Sequence, residues 1–277
     1  MLAGCMRENL DDCLEFALTV KIVDAEGKDI TNSGIVSTVD LYLFDNNGFI
    51  RMAPKGSDVD FLFSQDRNQN LKIVGWGNLN PDSLRYELPE PGTPIEDMML
   101  ELLQNADGSH QVANDLFYSR HELGTSTRGM QEEYITLTMT RCVASVSVRA
   151  LRLNEYFGEE VSGPFRFEVR NTGSMLNFWG ESANDLARHF PEVQVDEHGT
   201  LSTDVFRVFP AKEDSSILVD IFNGDELLFT VETDGDGEKL RTVAGMHTDI
   251  QIDFLATGVQ VTITVEPWNT IEQEVEV

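Results

Sequence analysis

Apolar residues in this chain recur at every second position, in short runs broken by Gly, Asn and Asp. That period fits an extended backbone whose side chains alternate between two faces. In "LEFALTVKIVD", Phe16, Leu18, Val20 and Ile22 fall on one face. "IVSTVDLYLFDNNGFI" reads as a strand, an Asn-Asn-Gly turn after Asp45 and a short return. "DVDFLFSQ", "NLKIVGWGN" and "DLFYSR" continue the pattern, and "EEYITLTMTRCVASVSVRALRL" is a long strand-rich run with a bend expected near Arg141. The second half repeats the style in "PFRFEVRN", "DVFRVFPA", "SSILVDIFN", "ELLFTVETDGDGEKL", "TDIQIDFL" and "GVQVTITVEPW". Roughly seven short strands per half predict an all-β chain of two antiparallel sandwiches.

Two short helices interrupt this reading. "TPIEDMMLELLQN" offers Thr93 as cap, Pro94 at the first helical position and Glu96 in the capping-box position. "SANDLARHF" offers Ser182 as cap and Asp185 in the box position. The polar, glycine-containing stretch "GTSTRGMQEE" is a loop, so the domain junction is expected near Arg141-Cys142. The expected division is 1–13 as leader remnant and tether, 14–141 as the first sandwich and 142–277 as the second.

Charge narrows the partners. Twenty Lys and Arg stand against 48 Asp and Glu, a net charge of -28, which repels phosphate backbones and argues against nucleic-acid binding. No apolar run reaches the ~18 residues of a membrane-spanning helix.

Catalytic and metal signatures are sparse. No two of the five histidines lie three to five residues apart. "GESAN" lacks the second glycine of a nucleophile elbow, and "GWGNLN" ends a strand where a dinucleotide fingerprint opens a helix. The calcium candidate is "DGDGE", where Asp234, Asp236 and Glu238 alternate as oxygen ligands would. The same stretch is also a strong hairpin-turn signal. Trp76, Trp179 and Trp268 are candidates for stacking on sugars, or for core packing. No enzyme activity and no cofactor are expected.

Leu2-Ala3-Gly4-Cys5 spells a bacterial lipobox, with Cys5 as the lipidation site and Met1 to Gly4 as the stub of a signal peptide. The cysteine count is odd: Cys5, Cys13 and Cys142. With Cys5 lipidated, Cys13 and Cys142 are left either to pair or to stay as separate buried thiols.

Several stretches then line up in order: the lipobox, the acidic "LDDC", "LEFALTVKIVD", "VDLYLFDNNGFI", "LKIVGWGNL", "DLFYSR", "TLTMTRCVASVSV" and a closing "VTITVEPW". This succession resembles the fimbrillin-associated anchor proteins of Gram-negative anaerobes, whose fimbriae are the type V pili. The resemblance implies two tandem transthyretin-like β-sandwiches. It also implies a surface-exposed outer-membrane lipoprotein that anchors a fimbrium or serves as its accessory subunit. Its partners would be the shaft subunits, joined through strand-mediated contacts, and the membrane, reached through Cys5. By position Cys13 and Cys142 match a second cysteine pair, and Glu8, Asp11 and Asp12 resemble a surface-export signal. "DSL" resembles an O-glycosylation signal, placing a sugar on Ser83. The alternative is a tip adhesin or glycan-binding lipoprotein with a host or glycan ligand. The final "NTIEQEVEV", with Ile271, Val275 and Val277 alternating, is either an exchanged strand or a closing edge strand.

Overall fold

The structure is a computed structural model. It describes residues 13–53, 60–66, 70–123, 132–158, 161, 163–183, 185–212 and 215–268. The chain is mostly β-sheet. The strands run β1 (Cys13–Ile22), β2 (Val39–Asp45), β3 (Gly48–Met52), β4 (Asp60–Asp66), β5 (Leu71–Gly77), β6 (Leu84–Arg85), β7 (Met99–Leu102), β8 (Phe117–Leu123), β9 (Glu132–Arg141) and β10 (Ala144–Leu151). After a short α-helix, α1 (Leu153–Phe157), come β11 (Phe165–Gly173), β12 (Met175–Asn177), β13 (Leu186–His189), β14 (Val193–Val195) and β15 (Leu201–Thr203). The last are β16 (Phe206–Val208), β17 (Leu218–Asn223), β18 (Glu226–Val231), β19 (Met246–Leu255) and β20 (Gly258–Pro267).

The chain divides into two compact units. One comprises residues 1–100, 115–141 and 176–181; the other comprises 101–114, 142–175 and 182–277. In the first, strand order is β3-β2-β5-β8-β9-β1-β4. β9 runs parallel to β1 from Glu15↔Glu132 to Ile22↔Met139, yet meets β8 only at Phe117↔Arg141 and Tyr118↔Thr140. It therefore joins two layers at a corner. Between them lie Leu18, Val20 and Ile22 of β1, Ile135, Leu137 and Met139 of β9, and Leu41, Leu43 and Ile73 of the facing strands. The alternation seen in "LEFALTVKI" is thus a core row. At the corner the buried Arg141 grips Asp115 with two bonds, Nε to Oδ1 at 2.6 Å and Nη2 to Oδ2 at 2.9 Å.

The second unit repeats the plan. One sheet has the order β14-β15-β10-β19-β20, with β16 also on β10, and the other has β13-β11-β17-β18. Its core joins Val146, Val148 and Ala150 of β10 and Ile250, Ile252 and Phe254 of β19 to Phe167, Val169, Val219 and Ile221 of the facing sheet. Here too the central pair, β10 with β19, is parallel.

Both expected helices are absent. After Pro94 the chain makes only a 3-10 turn at Ile95–Asp97 and then enters β7. Thr93 does not cap it, because its hydroxyl donates back to the Glu90 carbonyl at 2.7 Å. Burial in β7 alternates, with Leu100 and Leu102 buried, so the strand period prevails over the capping signal. In the second stretch Leu186–His189 pairs with β11, burying Ala187 and His189. Ser182 donates its hydroxyl to the Pro210 carbonyl at 2.7 Å and caps nothing.

Among the described residues, one loop type recurs at 24–28, 105–109, 177–181, 196–200 and 234–238. The first residue's N–H donates to the fifth residue's carbonyl, and the glycine in fourth place donates to the first residue's carbonyl. Those glycines have φ of 81°, 84°, 77°, 74° and 86°, the left-handed conformation that favours glycine. The opening Asp or Asn accepts the N–H groups of the third and fifth residues through Oδ1 at Asp24, Asn177, Asp196 and Asp234. A carboxylate therefore holds each acidic loop closed. Gly48 meets a different demand, since a Cβ there would sit 2.5 Å from the Gly92 carbonyl oxygen.

Two outcomes follow. Asp24 is buried and Asp24→Ala strands two backbone N–H groups, so urea unfolding should show a loss of about 1–3 kcal/mol. Asp24→Asn keeps the acceptor and should recover most of it. The Asp196 carboxyl is held below its usual range, first by the Thr200 N–H and then by the His198 N–H. Its contribution is present above the ordinary carboxylate pKa of about 4 and is lost as pH falls through the lower folded value. Between pH 7 and pH 3, Asp196→Asn should lose less stability than the parent chain.

Candidate functional site

The candidates from the sequence scatter. Cys5, Glu8, Asp11, Asp12 and the "NTIEQEVEV" segment lie outside the described residues. Cys13 opens β1, where its Cα partner is Asp66. The parallel register sets Cys13 beside the start of β9, whereas Cys142 follows the end of that strand and is buried. At about 3.3 Å per residue the two cysteines stand on the order of 30 Å apart, against the ~7 Å limit between Cα atoms of a disulfide. This register opposes the Cys13–Cys142 bridge.

Ser83 is 7% exposed, with its N–H on the Asn80 carbonyl. Trp76 is fully buried beside Tyr118 and Phe178, at ring separations of 4.8 and 5.7 Å. It is a core residue and cannot stack on a ligand. Trp179 is half-buried, with Lys72 and Arg120 each 5.3 Å from its ring centre. Trp268, also half-buried, donates its backbone N–H to Gly245. Asp234, Asp236 and Glu238 form the hairpin loop described above. The Asp234 Oδ1 is committed to backbone N–H groups, and among the described residues no group of three or more acidic, His or Cys side chains is placed to hold a metal.

A Ser-His-Asp grouping that spacing did not reveal lies across the parallel pair β10 and β19. Ser145 Oγ is 2.9 Å from His247 Nδ1, and Ser147 Oγ is 3.2 Å from Nε2 and 2.6 Å from Asp249 Oδ1. Arg149 holds the other oxygen of Asp249 at 2.6 Å. Ser147 gives its one O–H to Asp249, so His247 Nε2 donates to Ser147, and in the neutral ring Nδ1 accepts from Ser145. A nucleophilic triad needs the carboxylate on the imidazole. Here it sits on the second serine, and Ser145 is fully buried. The grouping is a cross-strand polar ladder.

Two features remain open to a partner. The first is a cleft of about 330 Å³ in the second unit, lined by the 105–112 hairpin, the end of β13 and Phe206. The hairpin docks on β13 because the His110 N–H donates to the Arg188 carbonyl at 2.7 Å and the Arg188 N–H reaches His110 Nδ1 at 3.3 Å. His189 is 2% exposed. Its Nε2 is 3.1 Å from Thr172 Oγ1, beside a bulge in β11, and its Nδ1 has no hydrogen-bond partner. Burial, with His110 beside it, pulls the His189 pKa down to about 4, and burial also lowers that of His110.

The second feature is β20. All ten of its residues pair with β19, and among the described residues no strand pairs with its other side, although the Gly235 N–H of the 234–238 loop donates to the Val261 carbonyl there at 3.0 Å. Val259, Val261, Ile263 and Val265 lie opposite the buried Phe254, Ile252, Ile250 and Thr248, so they share the core face. Yet the first three are only half-covered, and Val265 is 46% exposed. Gln260, Thr262, Thr264 and Glu266 face the other way.

The chain is 25% identical to the major fimbrium anchoring subunit FimB of Porphyromonas gingivalis strain W83 over 293 residues, covering 100% of this chain and 94% of that protein. The FimB of strain ATCC 33277 is 24% identical with the same coverage. In fold it is similar to the fimbrial anchor protein Mfa2 from Porphyromonas gingivalis, with a TM-score of 0.65 at 15% identity, covering 92% of this chain and 98% of that one. None of these is named as an enzyme. The family model for fimbrillin-A associated anchor proteins Mfa1 and Mfa2 matches residues 10–274, nearly the whole chain, and the chain belongs to that family.

Proposed function

We propose that this chain is a non-catalytic lipoprotein subunit that holds a fimbrium on the outer membrane, with the surface-exposed end joined to shaft subunits through strand contacts. The observation that carries the reading is β20. It is an edge strand of ten residues; the Gly235 N–H takes its Val261 carbonyl at 3.0 Å, and the edge on either side of that bond is what we assign to an incoming strand. Its half-covered Val259, Val261, Ile263 and Val265 supply the alternate side chains that set register and bury apolar surface. Family membership and likeness to anchoring subunits along the full length support the same role.

The hold on the membrane is assigned to acyl chains on Cys5. Among the described residues no helix is long and apolar enough to cross a membrane. Each buried methylene contributes ~0.8 kcal/mol, so two or more chains make a stable anchor.

Two variants in a fimbriated host separate the two attachments. Cys5→Ala should release the subunit and its fimbriae together into the medium. Val265→Lys changes a half-exposed residue and should alter folding by no more than about 0.5 kcal/mol. It should leave the subunit on the cell while the fimbriae are shed. Fimbriae that stay attached at normal length in both variants would overturn the reading.

A further inference from the structure

Which part of β20 a partner strand can use is set by its backbone groups. Val261 gives its carbonyl to the Gly235 N–H at 3.0 Å, on the side away from β19. In an antiparallel ladder, successive residues turn their N–H and carbonyl groups to alternate sides, and the register from Gly258 to Pro267 is unbroken. The groups of Val259, Val261, Ile263 and Val265 therefore point outward. Those of Gln260, Thr262, Thr264 and Glu266 point to β19.

The outward row has two stops. Gly235 holds the Val261 carbonyl, and Pro267 has no N–H to offer. Between them Ile263 and Val265 each present an N–H and a carbonyl. Beyond Gly235 only Val259 remains before the turn at Gly258. Side-chain cover follows the same division: Val259, Val261 and Ile263 are half-covered, whereas Val265 and Pro267 are exposed. The Gly235 stop is braced by its own loop. The Asp234 N–H donates to the Glu238 carbonyl, and the Asp236 and Glu238 N–H groups donate to Asp234 Oδ1. None of these bonds uses the Gly235 N–H.

The side chains define the strand that fits. Beside Ile263 and Val265 its alternate residues must be apolar. On the other face its neighbours are Thr262, Thr264 and Glu266. The β19 carboxylates of that face are already met, Asp249 by Arg149 and Asp253 by Arg152. Glu266 is exposed and lies opposite His247, whose ring nitrogens face Ser145 and Ser147. A cation on the incoming strand would answer it, and the net charge of -28 acts in the same direction. The "NTIEQEVEV" segment of a second copy is a poor fit. With Ile271, Val275 and Val277 toward the core, Glu272, Glu274 and Glu276 would share the face of Glu266.

We propose, taking β20 as the contact strand of the anchoring reading, that it accepts a short strand of alternating apolar and basic residues from another protein. That strand pairs with Ile263 and Val265, and Gly235 sets its register by ending the pairing at Val261.

The test uses the full chain, labelled with nitrogen-15, and amide exchange read by NMR. The probes are the blocked heptapeptide Thr-Val-Lys-Val-Thr-Ile-Lys and its acidic counterpart Thr-Val-Glu-Val-Thr-Ile-Glu. The basic peptide should slow exchange at Ile263 and Val265 and leave Val259 unchanged. It should bind about fivefold or more tighter than the acidic one, and Glu266→Lys should remove or reverse that preference. Gly235 lies outside the left-handed region, at a turn position that accepts proline. Gly235→Pro, which lacks the N–H, should let protection spread to Val259, whereas Gly235→Ala should not. Protection of Val259 in the parent chain, no protection of Ile263 and Val265 by either peptide, or a preference that Glu266→Lys leaves intact would overturn the proposal. Val265→Lys in the fimbriated host reads the anchoring role separately. Fimbriae shed there, beside a failed peptide test, reject the register stop and the charge rule while the anchoring reading stands.

Discussion

In each unit the described residues include a central parallel pair of strands, and much of the remaining architecture follows from it. β1 lies against β9, and β10 lies against β19, although most neighbouring strands are antiparallel. A parallel pair cannot be made by a hairpin; the chain must build the intervening strands before the partner arrives. Each pair also carries apolar rows of its unit's core: Leu18, Val20 and Ile22 with Ile135, Leu137 and Met139, and Val146, Val148 and Ala150 with Ile250, Ile252 and Phe254. Topological closure and hydrophobic burial therefore coincide. Such a fold gains little until its two ends meet, which explains why the local loops need help of their own.

The carboxylate-closed loops supply that help. In each, an Asp or Asn side chain fixes the turn before any distant contact exists, and glycine permits the left-handed residue that follows. Part of the acidic excess thus works on the backbone as local bracing. This accounts for "DGDGE", whose alternating acids read equally well as calcium ligands. Its first carboxylate takes the N–H groups two and four residues on through one oxygen, Oδ1.

Strand-rich character and the core rows were legible because side-chain alternation is imposed by the backbone itself. The two expected helices were misread for a related reason. A capping signal such as Thr93-Pro94 reports only four residues, whereas Leu100 and Leu102, or Ala187 and His189, report which face is buried in the finished sheet. The cysteine pairing was illegible because it depends on whether β1 runs with or against β9. The cleft was hidden for the same kind of reason. His110 and His189 are far apart in sequence and meet only because the 105–112 hairpin docks on β13.

The open edge of β20 is a consequence of the closure and not a defect in it. The parallel pair β10 with β19 completes the core, so a further strand hairpinned onto β19 finds its apolar face only half-opposed. An exposed edge of this length usually invites aggregation and is blunted with Lys, Pro or a bulge. β20 has a proline only at its end, a single charged residue, Glu266, and an unbroken register with β19. Protection against random association must then come from elsewhere, and a net charge of -28 supplies it over a long range. Long-range repulsion discourages copies of this chain from meeting. It does not deter a specific strand, because backbone hydrogen bonds and apolar contact act at short range, where salt has screened the charge. A charged body with a half-buried edge that carries one charge is consistent with the strand contact proposed above.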